Sequence, residues 1–348
     1  MIARHRKLPT LLTVVVLLAT LLAGCGGQQT PQSQTTPSQS HYTFYFVSHI
    51  GPADPNESWL TTSIAEAEKE FPVTVKYVAP ETFSVEAQVN LLETAIAAKP
   101  DGLIVPITDS AALQGPLDQA ISSGIPVIAS NIPDPRPIGQ RIPYLTYVGG
   151  DEYQTGVLMA QEILQQFKPN VPRRVACAIG DVGHAGAELR CKGLTDGMKS
   201  AGVPVDKVAI TDEPSTITTV MRSYLVAHKD TDAIWTVTLL TAPFVYKVVQ
   251  GLGMLNQVKM ATVDESPLAI EGILQGKLIA THSQQFWLQG YLPVMWLYLY
   301  KKYGYTPPPT ELVGPVIIDK TTAAQWKTKL INIFGQQKYD QLAAGWTQ

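Results

Sequence analysis

Between Tyr42 and Asp319 the chain alternates short apolar runs with longer segments whose apolar residues recur every three or four positions. Runs rich in aromatic and β-branched side chains predict strands, and the periodic segments predict helices. The first series reads "YTFYFVSH" (42–49) as strand, "SWLTTSIAEAEKEF" as helix and "VTVKYV" (73–78) as strand. In "VEAQVNLLETAIAAK", Val85, Val89, Leu92 and Ile96 fall along one helical face; "DGLIVPI", "SAALQGPLDQAISSG" and "IPVIASN" then read strand, helix, strand. A second series has strands at "RRVACAIG", "KVAITD", "DAIWTVT", "VKMATVDES" and "KLIATHSQ", separated by helices over 186–200, 216–229, 241–252 and 267–276. Strands split by helices in this way predict parallel sheets covered on both faces.

The two series echo each other. "KPDGLIVPITDSAAL" and "DTDAIWTVTLLTAPF" both put an Asp just before an apolar strand and a Thr at or just after its end. One unit used twice predicts an α/β protein of two doubly wound parallel-sheet lobes. Between them, "IPYLTYVGGDEYQTG" (142–156) reads as an extended crossing followed by a helix with Asp151 as its N-cap. The apolar helix "FWLQGYLPVMWLYLYKKYG" (286–304) returns to complete the first lobe, "TPPP" ends it, and "GPVIID" (314–319) makes a final strand. Gln289, Gly290 and Pro293 interrupt that helix, so it reads as a core element rather than a membrane span. The expected partition is 42–150 plus 285–312 for the first lobe and 151–284 plus 313–322 for the second, joined by a multi-crossing hinge. A helical extension over 323–348 follows, in which Trp326, Leu330 and Phe334 share a face that packs on a lobe.

The polar–apolar pattern changes upstream. Arg4 to Lys7 form a basic cluster, Leu11 to Ala23 an apolar core too short to span a bilayer, and Leu22-Ala23-Gly24-Cys25 a small-residue site ending in cysteine. This resembles the bacterial lipobox, which implies a signal peptide over 1–25 and acyl chains on Cys25. Residues 26–41 form a polar Gly, Gln, Thr, Pro and Ser segment that reads as a disordered tether. The expectation is a lipoprotein outside the cytoplasm, anchored in the membrane at the periplasm or the outer face of the cell membrane.

With a formal net charge of −3 and 16% charged residues, the chain has no basic stripe for phosphates, so no nucleic-acid partner is expected. Beyond Cys25 only Cys177 and Cys191 remain. In an oxidising compartment they can pair across a short loop, the alternative being two separate buried thiols. Nothing has metal-ligand spacing, and no cofactor is expected. No glycine-rich nucleotide turn, nucleophile elbow or zinc-protease motif occurs, and Asp181 with His184 lacks an identifiable nucleophile, so an enzyme is not expected.

Ligands of open α/β sheets bind beyond the carboxyl ends of the strands. Polar residues there are Ser48, His49, Thr108, Asp109, Asn131, Asp181, Asp212, Thr238, Asp264 and Gln284. Carboxylates, amides and guanidinium groups suit paired hydroxyls. "PDGLIVPITDSAAL", "VMRSYLVAHKDTDAIWTV" and "VDESPLAIEGILQGKLIATHSQQ", in their order and spacing, resemble the ribose-type (type I) periplasmic sugar-binding proteins of ABC transporters over nearly all of 42–319. The resemblance implies a monomer that closes on a small sugar-like ligand and delivers it to an ABC permease. It carries sugar contacts onto Arg190 in "ELRCKG", Asp264 in "ATVD" and Gln284 in "ATHSQ". The ordinary alternatives are a solvated helix charge, an N-cap and a hinge hydrogen bond, respectively. Trp59 stands where the family has an aromatic pair, and Asn131 and Thr238 depart from the ribose pattern, which argues against ribose but not against another sugar or polyol. His49 and Gln88 complete the candidate contacts. "VKYVAPETFSVEAQVNLL" also looks like the autoinducer-2 binders, so a sensory protein for a furanosyl signal, or a nucleoside receptor, is the alternative.

Overall fold

The computed structural model describes residues 41–81, 84–180, 183–211 and 213–346. Cys25, the leader and nearly all of the tether lie outside the described residues, as do Asp181 and Asp212.

The first sheet is built from β1 (Tyr42–Val47), β2 (Val73–Val78), β3 (Gly102–Val105), β4 (Val127–Asn131) and β5 (Thr146–Gly149), all parallel. The helices between them are α1 (Glu57–Glu70), α2 (Val85–Ala97) and α3 (Ser110–Ser122). The second sheet follows the same plan. Its strands are β6 (Val175–Ile179), β7 (Val205–Ala209), β8 (Ala233–Thr236), β9 (Lys259–Ala261) and β10 (Ala280–Ser283). Around them run α4 (Glu152–Phe167), α5 (Ala185–Met198), α6 (Pro214–Ala227), α7 (Ala242–Gly251) and α8 (Pro267–Leu274). The sheet interiors are continuous apolar runs because helices cover both faces; β3, β4, β6 and β8 are buried along their whole length.

Three segments cross between lobes: the β5–α4 turn, the link from β10 to α9 (Phe286–Tyr303), and the stretch from β11 (Thr310–Leu312) to β12 (Val316–Asp319). Asp151 caps α4, its carboxylate accepting from Gln154 N at 2.8 Å. α9 packs on α1 in the first lobe, and no helix among the described residues is long and apolar enough to cross a membrane. Two features differ from the sequence expectation. β11, in the polar stretch "TEL", adds a sixth parallel strand to the first sheet beside β5. β12 joins β10 antiparallel and completes the second. Cys177 on β6 and Cys191 on α5 form a disulfide.

α4 and α5 approach backbone to backbone. A Cβ at Gly156 would lie 2.1 Å from Arg190 O, and one at Gly193 would lie 2.0 Å from Tyr153 O, so only glycine permits this spacing. The approach brings the first turn of α4 against the middle of α5, which positions the site.

Candidate functional site

A cavity of about 470 Å³ lies between the lobes at the carboxyl ends of both sheets. That volume falls within the range of small-molecule pockets, roughly 300–1,000 Å³. Its lining brings together Arg190, Asp264, Gln284, Asn131, Thr238 and His49 from the candidate set.

Arg190 is 6% exposed, not a solvated helix charge. Its Nε donates to Glu152 Oε2 at 2.5 Å and its Nη1 to Val237 O at 3.2 Å. Glu152 is buried at the start of α4, immediately after the first crossing. Burial pushes its pKa up, and the neighbouring guanidinium pulls against that. Glu152 Oε1 has no partner among the described residues. The pair fixes the plane of the guanidinium at the cavity wall, a geometry suited to forked hydrogen bonds with neighbouring hydroxyls.

Asp264 lies three residues beyond the end of β9 in a left-handed conformation, φ 71°. It is not the N-cap of α8; Ser266 is, accepting from Ala269 N. Asp264 Oδ2 accepts from Asn56 Nδ2 at 2.7 Å across the cleft, and Oδ1 accepts from Gln284 Nε2. Burial raises its pKa, opposed by Arg190 and these two donors. Gln284 lies at the second crossing, and its Oε1 accepts from Asn131 Nδ2 at 3.0 Å. Asn131 also has positive φ, 68°, and donates to Gln289 Oε1 at 2.9 Å. Two residues in this uncommon region, one from each lobe, are therefore joined through the Gln284 side chain, each pinned by hydrogen bonds.

His49 and His184 come from opposite lobes with ring centroids 5.3 Å apart. Burial, with Arg190 adding to it, pulls His49 down to about 3. Burial also holds His184 well below the usual range. His184 Nδ1 accepts from Ala187 N at 3.3 Å and caps α5, which leaves the proton of the neutral ring on Nε2. The rest of the wall is largely apolar, with Leu239, Phe244, Leu268 and Phe286.

Two expected contacts sit elsewhere. Trp59 is buried in the core, edge-to-face with Phe334 at 4.7 Å, because the C-terminal extension supplies it an aromatic neighbour. Gln88 is fully buried and binds protein: its Nε2 donates to Pro106 O at 3.0 Å and its Oε1 accepts from Thr108 Oγ1 at 2.5 Å, fastening α2 to the turn after β3. Asp109 caps α3 and Ser48 accepts from Ile50 N, so both are committed to local turns. Asp212 lies outside the described residues. Sequence reasoning missed Asn56, Glu152, Phe244 and Phe286. Asn56 stood in the "DPNESW" stretch but only its aromatic drew notice, and Glu152 is 38 residues from the arginine it holds. Among the described residues no cluster of His, Cys, Asp or Glu is placed to hold a metal ion.

Two lobes meeting around a cavity that carries a linked polar set from both of them define a solute-binding architecture. The periplasmic binding protein domain model matches residues 47–304, and the chain belongs to that family. It is 30% identical over 238 residues to the xylose/arabinose-binding protein XylF of Sulfolobus acidocaldarius; the match takes in 65% of this chain and 58% of that protein's length. Among solved structures it resembles a carbohydrate transporter protein from Acidothermus cellulolyticus in complex with myo-inositol (25% identity, TM-score 0.73, 86% of this chain and 100% of that one). The glucose-galactose binding protein GanP of Geobacillus stearothermophilus shares the fold (22% identity, TM-score 0.73, 81% and 98% covered).

Proposed function

We propose that this chain is the capture component of an ABC importer: a lipid-anchored extracytoplasmic protein that closes on one small sugar or polyol and hands it to a membrane permease. The observation that carries the reading is the linked polar set of Arg190, Asp264, Gln284, Asn131 and Asn56, drawn from both lobes onto one cavity. The set mixes fixed acceptors and donors, as a ring of hydroxyls requires, and the named relatives that bind xylose, arabinose and myo-inositol support that ligand class. Closure couples to delivery when the permease prefers the liganded, closed form. The reading is of a binding protein rather than an enzyme. Phe244 and Phe286 on the wall favour, as a second reading, a nucleoside or furanosyl ligand whose flatter face they cover.

A thermal-shift panel of D-xylose, L-arabinose, myo-inositol, galactose and nucleosides tests both. A ligand present at a hundred times its Kd stabilises the folded form by about 2.7 kcal/mol. A rise with a sugar or polyol is the expected result; a rise with nucleosides alone selects the second reading, and no rise at all contradicts both.

A further inference from the structure

The C-terminal extension is anchored on one lobe and touches the other. α10 (Ala323–Phe334) and α11 (Gln336–Ala343) pack on α8 of the second lobe. There Lys327 Nζ and Tyr339 Oη both reach Glu271 Oε1, at 2.6 and 2.9 Å. Leu330 and Tyr339 are fully buried, and Trp346 Nε1 donates to Leu268 O at 2.6 Å. These contacts hold the extension to the second lobe firmly. At the end of α10, however, Phe334 meets Trp59 on α1 of the first lobe, ring centroids 4.7 Å apart and planes at 72°. Trp59 is 2% exposed with the extension in place. Gly345, near the far end of the extension, lines the ligand cavity, where a Cβ would lie 2.8 Å from Leu268 Cδ1.

We propose that the extension is a clasp: it bridges the lobes outside the three crossings, favours the closed arrangement before any ligand arrives, and so sets how readily the cleft opens. The two rings belong to different lobes, so rotating the lobes apart pulls Trp59 away from Phe334 and wets both. An edge-to-face pair contributes modestly beyond its buried area, enough to shift an open–closed equilibrium severalfold. The clasp does not depend on ligand identity: Phe334, Lys327, Tyr339 and Trp346, which build it, are not members of the polar set.

Hydrogen exchange of the ligand-free full chain, followed by mass spectrometry, tests it. Phe334→Ala should speed exchange severalfold in the cleft-facing segments 49–56 and 237–241 while leaving β3 and β6 unchanged. Trp326→Ala, on the same helix but outside the Trp59 contact, should leave the cleft segments as they are. The proposal is overturned if Phe334→Ala leaves those segments unchanged, or if they speed up only in step with the strand cores, which would mean general destabilisation. Because no ligand is added, failure here is distinct from failure of the sugar reading.

Discussion

Replacing Arg190 with methionine keeps a stem of similar reach but removes the fork that satisfies Glu152 Oε2 and Val237 O. Both charges are nearly out of water, Arg190 at 6% and Glu152 at 2% exposure, so this is not a surface pair with little effect on stability. Removing one partner of a buried pair costs about 3–5 kcal/mol, because the other is left uncompensated. At roughly 2–4 °C per kcal/mol, the melting temperature should fall by on the order of 10 °C. Arg190→Met combined with Glu152→Leu should recover most of that loss, since an apolar pair of similar volume is often close to neutral. A pH dependence follows as well. Burial raises the Glu152 pKa and Arg190 restrains it, so the single variant lets it rise further. A carboxyl whose folded pKa exceeds its unfolded value favours folding at low pH, and that contribution is lost as pH rises through the folded pKa. The deficit of the single variant should therefore be larger at pH 8 than at pH 5. Calorimetry of the three proteins at both pH values measures all of this. A loss under 1 kcal/mol in the single variant, or a double variant no better than the single, would refute the assignment of Glu152 as the arginine's holder.

Other outcomes follow from the same structure. His282 is fully buried, neither ring nitrogen has a hydrogen-bond partner among the described residues, and burial holds its pKa well below the usual value. It therefore favours the folded state above the unfolded pKa of about 6.5 and loses that contribution as pH falls below it. His282→Leu should consequently stabilise the protein more at pH 5 than at pH 8, as read from melting temperatures, and equal gains would count against this account. Gly156→Ala should push α5 away from α4, lowering the melting temperature and weakening ligand binding together; a variant with unchanged affinity would separate the helix spacing from the site. Reducing the Cys177–Cys191 bond, which closes a loop of sequence separation 14, should cost about 3 kcal/mol in chemical denaturation. Cys25→Ser should release the protein from membranes on fractionation, and continued retention would contradict the lipid anchor.

Much of the architecture was legible because its signals are local. Asp151 announced the helix after the first crossing, and the apolar residues of 286–304 announced a core helix despite Pro293. β11 was hidden because three polar and apolar residues after a run of prolines carry no alternation; it is a strand only because β5 offers an edge. The antiparallel sense of β12 likewise comes from where the third crossing delivers the chain. At the site, Asp264, Gln284 and Asn131 were visible as polar residues at or near strand ends, whereas Arg190, in the middle of α5, was visible only through the family's spacing. What was illegible depends on tertiary partners. Trp59 turns inward because Phe334, 275 positions later, packs on it. Gln88 is consumed by Thr108 and a backbone carbonyl that the sequence does not show to be adjacent.

The proposed capture role requires a hydroxylated ligand held by the polar set between the lobes. Titration calorimetry of the intact protein and of Asp264→Ala, with each sugar and polyol of the panel, tests this most directly. The predicted result is one-to-one binding of at least one of them with Kd in the micromolar range or tighter, about −8 kcal/mol, weakened about thirtyfold or more in the variant by loss of roughly 2 kcal/mol of charge-assisted bonding. Equal affinity in the two proteins, or no heat from any sugar or polyol, would contradict it.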